Sequence, residues 1–355
     1  MKRKILFITI GIVLLVIGLV VGGFWYMSTQ PLYQPGIVRR MGAPLVPLTQ
    51  PIDSKTWLVE PGIELSHFVV GEGRNVLVIH GGPGQPFLQA MSGLEPLTSD
   101  FRFHYYDQRG CGESTRPIDH FESPNVYENM MALDRSLGLG VQIADIERIR
   151  QILGDDKLIL IGHSWGGFLA SLYAAEFPEH VDALILISPA STLVTPQPDA
   201  ESDLFATVRA KLPTDEQPGF DVFMQEYMNF NSLLQKSDAD LVAMNEQFGK
   251  YYMQVVDTDA QLPPPGRPGG WMVWGMYVSM GQRHDYRAAL REVTAPVLVI
   301  HGADDIQSEA ATRLYVDAFP NAEFALIKNA GHFTFEEQPD QFASIVQSFL
   351  EGYAE

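Results

Sequence analysis

Three side chains in this sequence have the combination of types that acyl transfer requires. Ser164 is the centre of a GxSxG motif, His332 ends an Ala-Gly-His stretch, and Asp305 ends a His-Gly-Ala-Asp-Asp stretch. A serine hydroxyl becomes a good nucleophile when a base accepts its proton, and a carboxylate then fixes the tautomer of that base and stabilises its charge. The sequence therefore predicts that Ser164 attacks the substrate, that His332 is the general base, and that Asp305 orients His332.

Each of these residues also has an ordinary structural interpretation. Ser164 could occupy a simple turn, His332 could be a hydrogen-bonded loop histidine, and Asp305 could cap a helix that starts near Gln307. The catalytic interpretation is favoured because all three follow predicted strands. Asp304 remains the alternative acid, since the same turn could present either carboxylate.

The segments that flank Ser164 predict how the hydroxyl is presented. A short apolar, β-branched run at residues 157–161 is typical of a buried parallel strand. Residues 168–175 favour a helix, which Pro178 closes. A strand, a sharp turn and a helix form a nucleophile elbow, in which the strained turn lifts the serine clear of the sheet.

A second glycine-rich stretch, HGGPG at His80 to Gly84, predicts donors for the oxyanion. The expected pair is the backbone N–H of Gly82 and that of Trp165, which follows the nucleophile. Gly81 is a candidate for substrate contact, because glycines allow the backbone to approach a ligand closely. The alternative interpretation of these glycines is a tight turn that packs beneath another part of the chain and does not contact substrate. Neither GxxxxGK[ST] nor GxGxxG occurs, so no phosphate-binding loop, cofactor site or metal site is predicted.

The wider pattern predicts an α/β fold with a mostly parallel sheet, helices on both faces and an inserted helical cap. Strand and helix patterns alternate up to about residue 190, stop for about ninety residues rich in Phe, Tyr, Met and Trp, and then resume. The predicted segments are a Pro-rich linker at 28–61, the first part of the core at 62–190, the cap at 191–285 and the second part of the core at 286–355.

The N-terminus predicts a membrane anchor. Lys2, Arg3 and Lys4 precede an uncharged run from Ile5 to Met27, which is long enough for a helix of about 20 residues that spans a bilayer. A cleaved signal peptide is the alternative. The basic cluster would keep the N-terminus cytoplasmic, so we expect a single-pass protein, anchored in the bilayer by residues 1–27, with its catalytic domain on the extracytoplasmic side.

Composition excludes several partners. The formal net charge of -19 argues against nucleic acid as a partner. The single cysteine, Cys111, excludes a disulfide within the chain and supplies no cluster for zinc. The expected partner is therefore a small-molecule or short-peptide substrate, and the oligomeric state stays open.

Three motifs together resemble the proline iminopeptidase branch of the α/β-hydrolases. They are HGGPG at His80 to Gly84, DQRGCGES at Asp107 to Ser114, and GHSWGG at Gly162 to Gly167. The chain order of serine, aspartate and histidine is also the order of that fold family. The resemblance implies an α/β-hydrolase fold and release of an N-terminal residue, often proline, from a small peptide through an acyl-enzyme.

In that family acidic cap residues hold the free α-amino group, which makes Glu226 and Glu246 the candidate amine anchors here. Each could instead lie on a solvated helix face. Two other functions remain open. One is a carboxylesterase, lipase-like enzyme or other amide hydrolase, and the other is a non-catalytic binding protein at the cell surface.

Overall fold

A mixed β-sheet runs through the centre of the protein. The computed structural model describes residues 29–40, 45–52, 54–198, 202–256 and 258–354. The strands of these residues are β1 (Thr56–Glu60), β2 (Ile63–Val70), β3 (Arg74–Ile79), β4 (Phe101–Tyr106), β5 (Leu158–His163), β6 (Val181–Ile187), β7 (Val194–Thr195), β8 (His284–Asp285), β9 (Val297–Gly302) and β10 (Ala322–Ile327). In the described residues eight of them form the sheet, in the order β1-β2-β4-β3-β5-β6-β9-β10. β1, β2 and β4 pair antiparallel, and every pair from β4 to β10 is parallel.

Helices cover both faces of this sheet. In the described residues they are α1 (Ile37–Arg40), α2 (Val126–Leu137), α3 (Leu139–Leu153), α4 (Trp165–Glu176), α5 (Leu204–Lys211), α6 (Gln217–Tyr227), α7 (Phe230–Leu233), α8 (Asp238–Val255), α9 (Trp271–Met280), α10 (Arg287–Leu290), α11 (Glu309–Ala318), α12 (Thr334–Glu337) and α13 (Pro339–Phe349). Short 3-10 turns occupy Ser92–Leu97 and Pro178–His180. The predicted mostly parallel sheet with helices on both faces is confirmed.

The central strands are apolar at successive positions because both of their faces are covered. In β5, Leu158 and Leu160 pack into one core together with Phe168 of α4. The intervening Ile159 and Ile161 pack into the opposite core, which includes Phe342 of α13. Side chains of a strand alternate between its two faces, so one strand contributes to both cores. This double burial fixes the register of the strand that leads to Ser164.

The insertion between β6 and β9 carries α5 to α9. It leaves and rejoins the core through a two-stranded antiparallel ribbon, in which Val194 of β7 pairs with Asp285 of β8. Part of the insertion has its own core, where Val208 and Phe220 pack with Ile306, a residue of the loop after β9. The insertion is therefore in direct contact with the loop that carries Asp305.

Residues 29–40 form a strap that is docked on the body of the protein. Tyr33 is buried in the main core, and its backbone N–H donates to the Ser279 carbonyl at the end of α9. The buried carboxylate of Glu176, at the end of α4, accepts from the Tyr33 hydroxyl and from the backbone N–H groups of Gly36 and Arg39. Buried acceptors of this kind hold a segment in place because its donors would otherwise lose their hydrogen bonds to water.

Two predictions about the N-terminal part need correction. The linker predicted at 28–61 is wrong at its C-terminal end, because Thr56–Glu60 pairs with β2 as an edge strand. The predicted anchor at 1–27 lies outside the described residues. Every helix in the described part of the chain falls short of the length and apolarity that crossing a bilayer requires. The predicted membrane location and the predicted bilayer partner are therefore corrected, because no helix in the described part of the chain could span a bilayer.

We expect Glu176→Ala to lower the free energy of unfolding by about 2–4 kcal/mol, because three donors would lose a buried acceptor at once. Glu179→Ala is the matched control. Its exposed carboxylate pairs with Arg39, and exposed pairs contribute little, so a change within about 0.5 kcal/mol is expected. Urea denaturation of both variants measures the difference. Equal losses would contradict the role of Glu176.

Candidate active site

Ser164 occupies a strained turn between β5 and α4. Its φ of 54° and ψ of -120° lie in a region that non-glycine residues rarely adopt. The surrounding backbone holds it there, because its N–H donates to the Ile187 carbonyl at 2.8 Å. A Cβ at Gly162 would overlap the Gly166 carbonyl, and one at Gly166 would overlap the Ile79 carbonyl. The glycines of the motif are therefore required for the helix to pack this close to two strands.

His332 and Asp305 lie together in the loops after β10 and β9. The His332 Nδ1 is 3.1 Å from each carboxylate oxygen of Asp305. Both side chains are buried, so this contact is shielded from water. Asp304 is exposed, and within the described residues its one hydrogen bond is from its backbone N–H to the Ala330 carbonyl. The geometry thus pairs Asp305, and not Asp304, with His332.

The loop around His332 is fixed by its neighbours. The Glu337 carboxylate accepts from the backbone N–H groups of Gly331 and Phe333, each at 2.9 Å. The His163 Nε2 donates to the His332 carbonyl at 3.0 Å. Burial lowers the pKa of His163 to about 3, and the neighbouring His332 adds to this effect. His163 therefore stays neutral near pH 7 and braces the loop.

The electrostatics of Asp305 favour its ionised form. Burial by itself raises the pKa of the carboxyl, but the charge and hydrogen bond of His332, the charge of His301 and the Gln307 N–H together hold it below its ordinary value. An ionised Asp305 accepts the Nδ1–H of His332 and leaves the Nε2 lone pair free for a proton.

Gln307 is a part of the site that the sequence interpretation did not include. Its side chain is 7% exposed, and its amide nitrogen lies 3.4 Å from Ser164 Oγ and 3.3 Å from His332 Nε2. In the described residues Ser164 Oγ is hydrogen-bonded to this amide and not directly to His332. The one available signal was its position two residues after Asp305 in the same turn. A polar residue there has little meaning until the loop conformation is known.

The glycine-rich loop after β3 reaches the nucleophile. A Cβ at Gly81 would stand 2.9 Å from the Ser164 Cβ, so these two backbones are in close contact. Gly82 has a φ of 116°, which favours glycine. Among the described residues, neither the N–H of Gly82 nor that of Trp165 has a hydrogen-bond acceptor. Two unpaired donors therefore flank the elbow.

His80 braces the base of this loop. It is fully buried, its Nδ1 donates to the Gly81 carbonyl, and its Nε2 accepts from the Gln108 N–H at 3.1 Å. Burial lowers its pKa to about 4, although the hydrogen bond to Gly81 opposes this shift. A neutral His80 thus ties the glycine-rich loop to the loop that follows β4.

Aromatic side chains of the insertion lie next to this site. The Tyr252 ring of α8 meets the His332 ring edge to face, with their centroids 5.9 Å apart. Tyr277 of α9 contacts Trp165 at 5.7 Å and Trp274 at 5.9 Å. The Tyr252 hydroxyl and the indole N–H groups of Trp165 and Trp274 are buried without a partner in the described residues. The surroundings are therefore apolar rings that carry a few unpaired polar atoms.

The two candidate amine anchors are both exposed in the structure. Glu226 is exposed and binds the Ser232 hydroxyl at 2.6 Å and the Lys236 ammonium at 2.9 Å. Glu246 is exposed on α8, whose buried face carries other residues such as Asn245. These carboxylates lie on exposed helix faces, as the alternative interpretation expected, and their role as amine anchors stays a prediction. In the part of the chain that the structure describes, no group of three or more His, Cys, Asp or Glu is arranged to hold a metal ion.

Comparisons with known proteins show the family of this fold. A family model described as alpha/beta hydrolase fold matches residues 74–339. A proline iminopeptidase of Heyndrickxia coagulans is 28% identical over 292 residues, which are 79% of this chain and 91% of that protein. A proline iminopeptidase of Lactobacillus helveticus is 27% identical over 310 residues, covering 83% of this chain and 96% of that protein. The resemblance inferred from the three motifs is thereby confirmed.

Solved structures show the same fold. The crystal structure of a proline iminopeptidase of Mycobacterium smegmatis has a TM-score of 0.54 at 19% identity, and covers 82% of this chain and 96% of that one. A thermophilic esterase of Thermogutta terrifontis has a TM-score of 0.54 at 21% identity, and covers 86% of this chain and 100% of that one. A peptidase and an esterase therefore share this architecture, so the fold alone does not select a substrate.

The low pKa of His80 predicts acid sensitivity. The unfolded chain takes up a proton at this histidine below about pH 6.5, whereas the folded chain does so only near pH 4 because burial disfavours the charged ring. The contribution of neutral, buried His80 to the free energy of unfolding is therefore fully present above about pH 6.5. Below that, His80 should lower the free energy of unfolding by up to about 1.4 kcal/mol per pH unit until about pH 4.

Urea denaturation between pH 7 and pH 4.5, at constant ionic strength, measures this slope. His80→Gln keeps an acceptor for the Gln108 N–H but cannot be protonated in this range. We expect a shallower slope for the variant. An unchanged slope would show that another group causes the acid sensitivity.

Proposed function

Because the chain belongs to the α/β-hydrolase family, we propose that this hydrolase uses Ser164 as its nucleophile, His332 as general base and Asp305 as the orienting acid. The observation that carries the proposal is the buried contact of His332 Nδ1 with both carboxylate oxygens of Asp305. The side-chain amide of Gln307 contacts both His332 and Ser164. An ionised, buried carboxylate, a histidine paired with it and a strained serine that shares a neighbouring amide with that histidine are the components of an acyl-transfer site.

In the proposed acylation step, Ser164 Oγ bonds to the acyl carbon while its proton passes to His332 Nε2. The developing oxyanion is stabilised by the N–H groups of Gly82 and Trp165, which have no other acceptor in the described residues. When the bond to the leaving group breaks, His332 returns the proton to the leaving atom. Asp305 stabilises the charged imidazole between these two transfers.

Deacylation repeats these steps with water. His332 accepts a proton from a water molecule, the hydroxide attacks the acyl carbon, and Ser164 recovers its proton as the acid product leaves. The buried setting of His332 and Asp305 strengthens their interaction relative to bulk water. Gly81 contributes by letting the backbone pass close to the acyl group.

The proposed substrate is a small peptide, from which the enzyme releases the N-terminal residue. Relatives that share most of the chain are named proline iminopeptidases, and this supports the proposal. The aromatic rings of the insertion suit a compact apolar side chain next to the scissile bond. A net charge of -19 also attracts substrates with a free amine over long range.

A second candidate is hydrolysis of a neutral amide or ester. One observation favours it: Glu226 and Glu246, the carboxylates expected to hold an amine, both lie on exposed helix faces. A pocket of apolar rings with neutral polar atoms such as the Tyr252 hydroxyl suits an uncharged acyl group.

The triad is tested by labelling and by a matched pair of carboxylate variants. A fluorophosphonate should label Ser164, and Ser164→Ala should abolish both labelling and turnover. Asp305→Asn should lower kcat by about 10⁴-fold, because an amide no longer fixes the His332 tautomer. Asp304→Asn should stay within about twofold of the wild type, since its side chain is exposed.

Circular dichroism and thermal melts serve as the folding control for these variants. If folded wild-type protein is not labelled, the enzyme proposal fails and the non-catalytic binding function gains support. If Asp304→Asn and Asp305→Asn lose equal activity, the assignment of the acid fails.

The substrate class is tested with proline and alanine 2-naphthylamides and their N-acetylated forms. An aminopeptidase should lose about 100-fold or more in kcat/KM when the amine is blocked, because a site built to bind a polar group rejects substrates that lack it. Glu226→Gln and Glu246→Gln should stay within about twofold of the wild type, because both carboxylates are exposed. Equal cleavage of free and acetylated amides would favour the neutral substrate instead.

A further inference from the structure

The Gln307 amide occupies a position that the proposed reaction needs. It lies within 3.4 Å of both Ser164 Oγ and His332 Nε2. The same nitrogen lies 3.5 Å from His332 Nδ1, so it is placed against the ring at nearly equal distances from both ring nitrogens and not along the Nε2 lone pair. The lone pair that should receive the Ser164 proton is thus left open, while the amide fills the space beside both reacting groups.

This position corresponds to that of the leaving group. During acylation the leaving atom is bonded to the same carbon as Ser164 Oγ, and it must take its proton from His332 Nε2. It therefore has to lie next to both atoms, which is where the Gln307 nitrogen lies in the free enzyme. The two oxyanion donors come from other loops, after β3 and β5, and do not compete for this position. A productive substrate must displace the amide.

The amide can yield this position while the rest of Gln307 stays fixed. Its backbone N–H donates to Asp305 Oδ1 at 2.9 Å, and the preceding Ile306 is packed into the core of the insertion. Movement is thus confined to side-chain torsions. The Gln307 carbonyl oxygen accepts no hydrogen bond from the residues that the structure describes. This acceptor is available to a donor that arrives beside His332.

We propose that Gln307 determines leaving-group specificity. Its amide is displaced by the leaving group, and its carbonyl oxygen then accepts the N–H of a leaving amine as the carbon–nitrogen bond breaks and His332 supplies the proton. The leaving oxygen of an ester carries no hydrogen to donate, so Gln307 favours amides over esters with the same acyl group. This inference rests on the proposed serine-hydrolase mechanism.

The test compares a 2-naphthylamide and a 2-naphthyl ester of the same amino acid. In Gln307→Met, which keeps the side-chain length without hydrogen-bonding groups, the ratio of amide to ester kcat/KM should fall about threefold to tenfold, the effect of one lost hydrogen bond. The constant kcat/KM covers the steps through acylation, in which the leaving group departs. Because both substrates are measured with the same enzyme preparation, the ratio of the two kcat/KM values does not depend on the fraction of enzyme that is folded.

Gln307→Leu should reproduce the fall in the ratio, and Gln225→Met, an exposed glutamine in α6, should leave the ratio unchanged. A ratio that is unchanged or raised in Gln307→Met and Gln307→Leu overturns the inference, because a space-filling role would affect both substrates alike. Absence of fluorophosphonate labelling at wild-type Ser164 would instead defeat the proposed function itself. The two failures are therefore distinguishable.

Discussion

The close approach of α4 to the strands β3 and β5 is the constraint on which the site depends. Gly166 lies so near the Ile79 carbonyl that a side chain has no room, and the turn at Ser164 that leads into this contact has a strained conformation. A strained backbone persists only where the surrounding structure over-determines it. Here the double-sided burial of β5 supplies that support. The hydrophobic cores therefore hold the serine in its position on the turn.

The other site loops are held by buried polar contacts. Neutral His163 ties the His332 loop to β5, and neutral His80 ties the glycine-rich loop to the loop after β4. Glu337 fixes the backbone on either side of His332. In each case a side chain satisfies backbone donors or acceptors of the loop. Three loops that are distant in sequence thus keep one relative geometry.

Most of the sheet was predictable from the sequence, because buried strands carry apolar runs of the right length. The strand that leads to Ser164 was expected at residues 157–161 and is observed at Leu158–His163. Ser164, Asp305 and His332 were predictable as a group, since each follows such a strand. Thr56–Glu60 was missed because it follows a proline-rich stretch and pairs only at the sheet edge.

The packing of the insertion could not be predicted from the sequence. Its helices were expected from their apolar spacing, but the faces that Glu226 and Glu246 present depend on how those helices pack, and the sequence does not encode that locally. Gln307 was missed for a related reason. Its contact with Ser164 joins residues 143 positions apart and arises only when two loops close on each other.

The ribbon of β7 and β8 has a consequence for how such a protein could diversify. Because Val194 and Asp285 are paired neighbours, the whole insertion enters and leaves the sheet through one narrow stem. α9 belongs to the main core, where Trp271 and Met272 are buried, so it has to stay with the sheet. Exchange of the helices before it, α5 to α8, would leave the strand order and the elbow in place. Natural recombination, or a laboratory graft of these four helices, could therefore give the same hydrolytic core a new substrate cover.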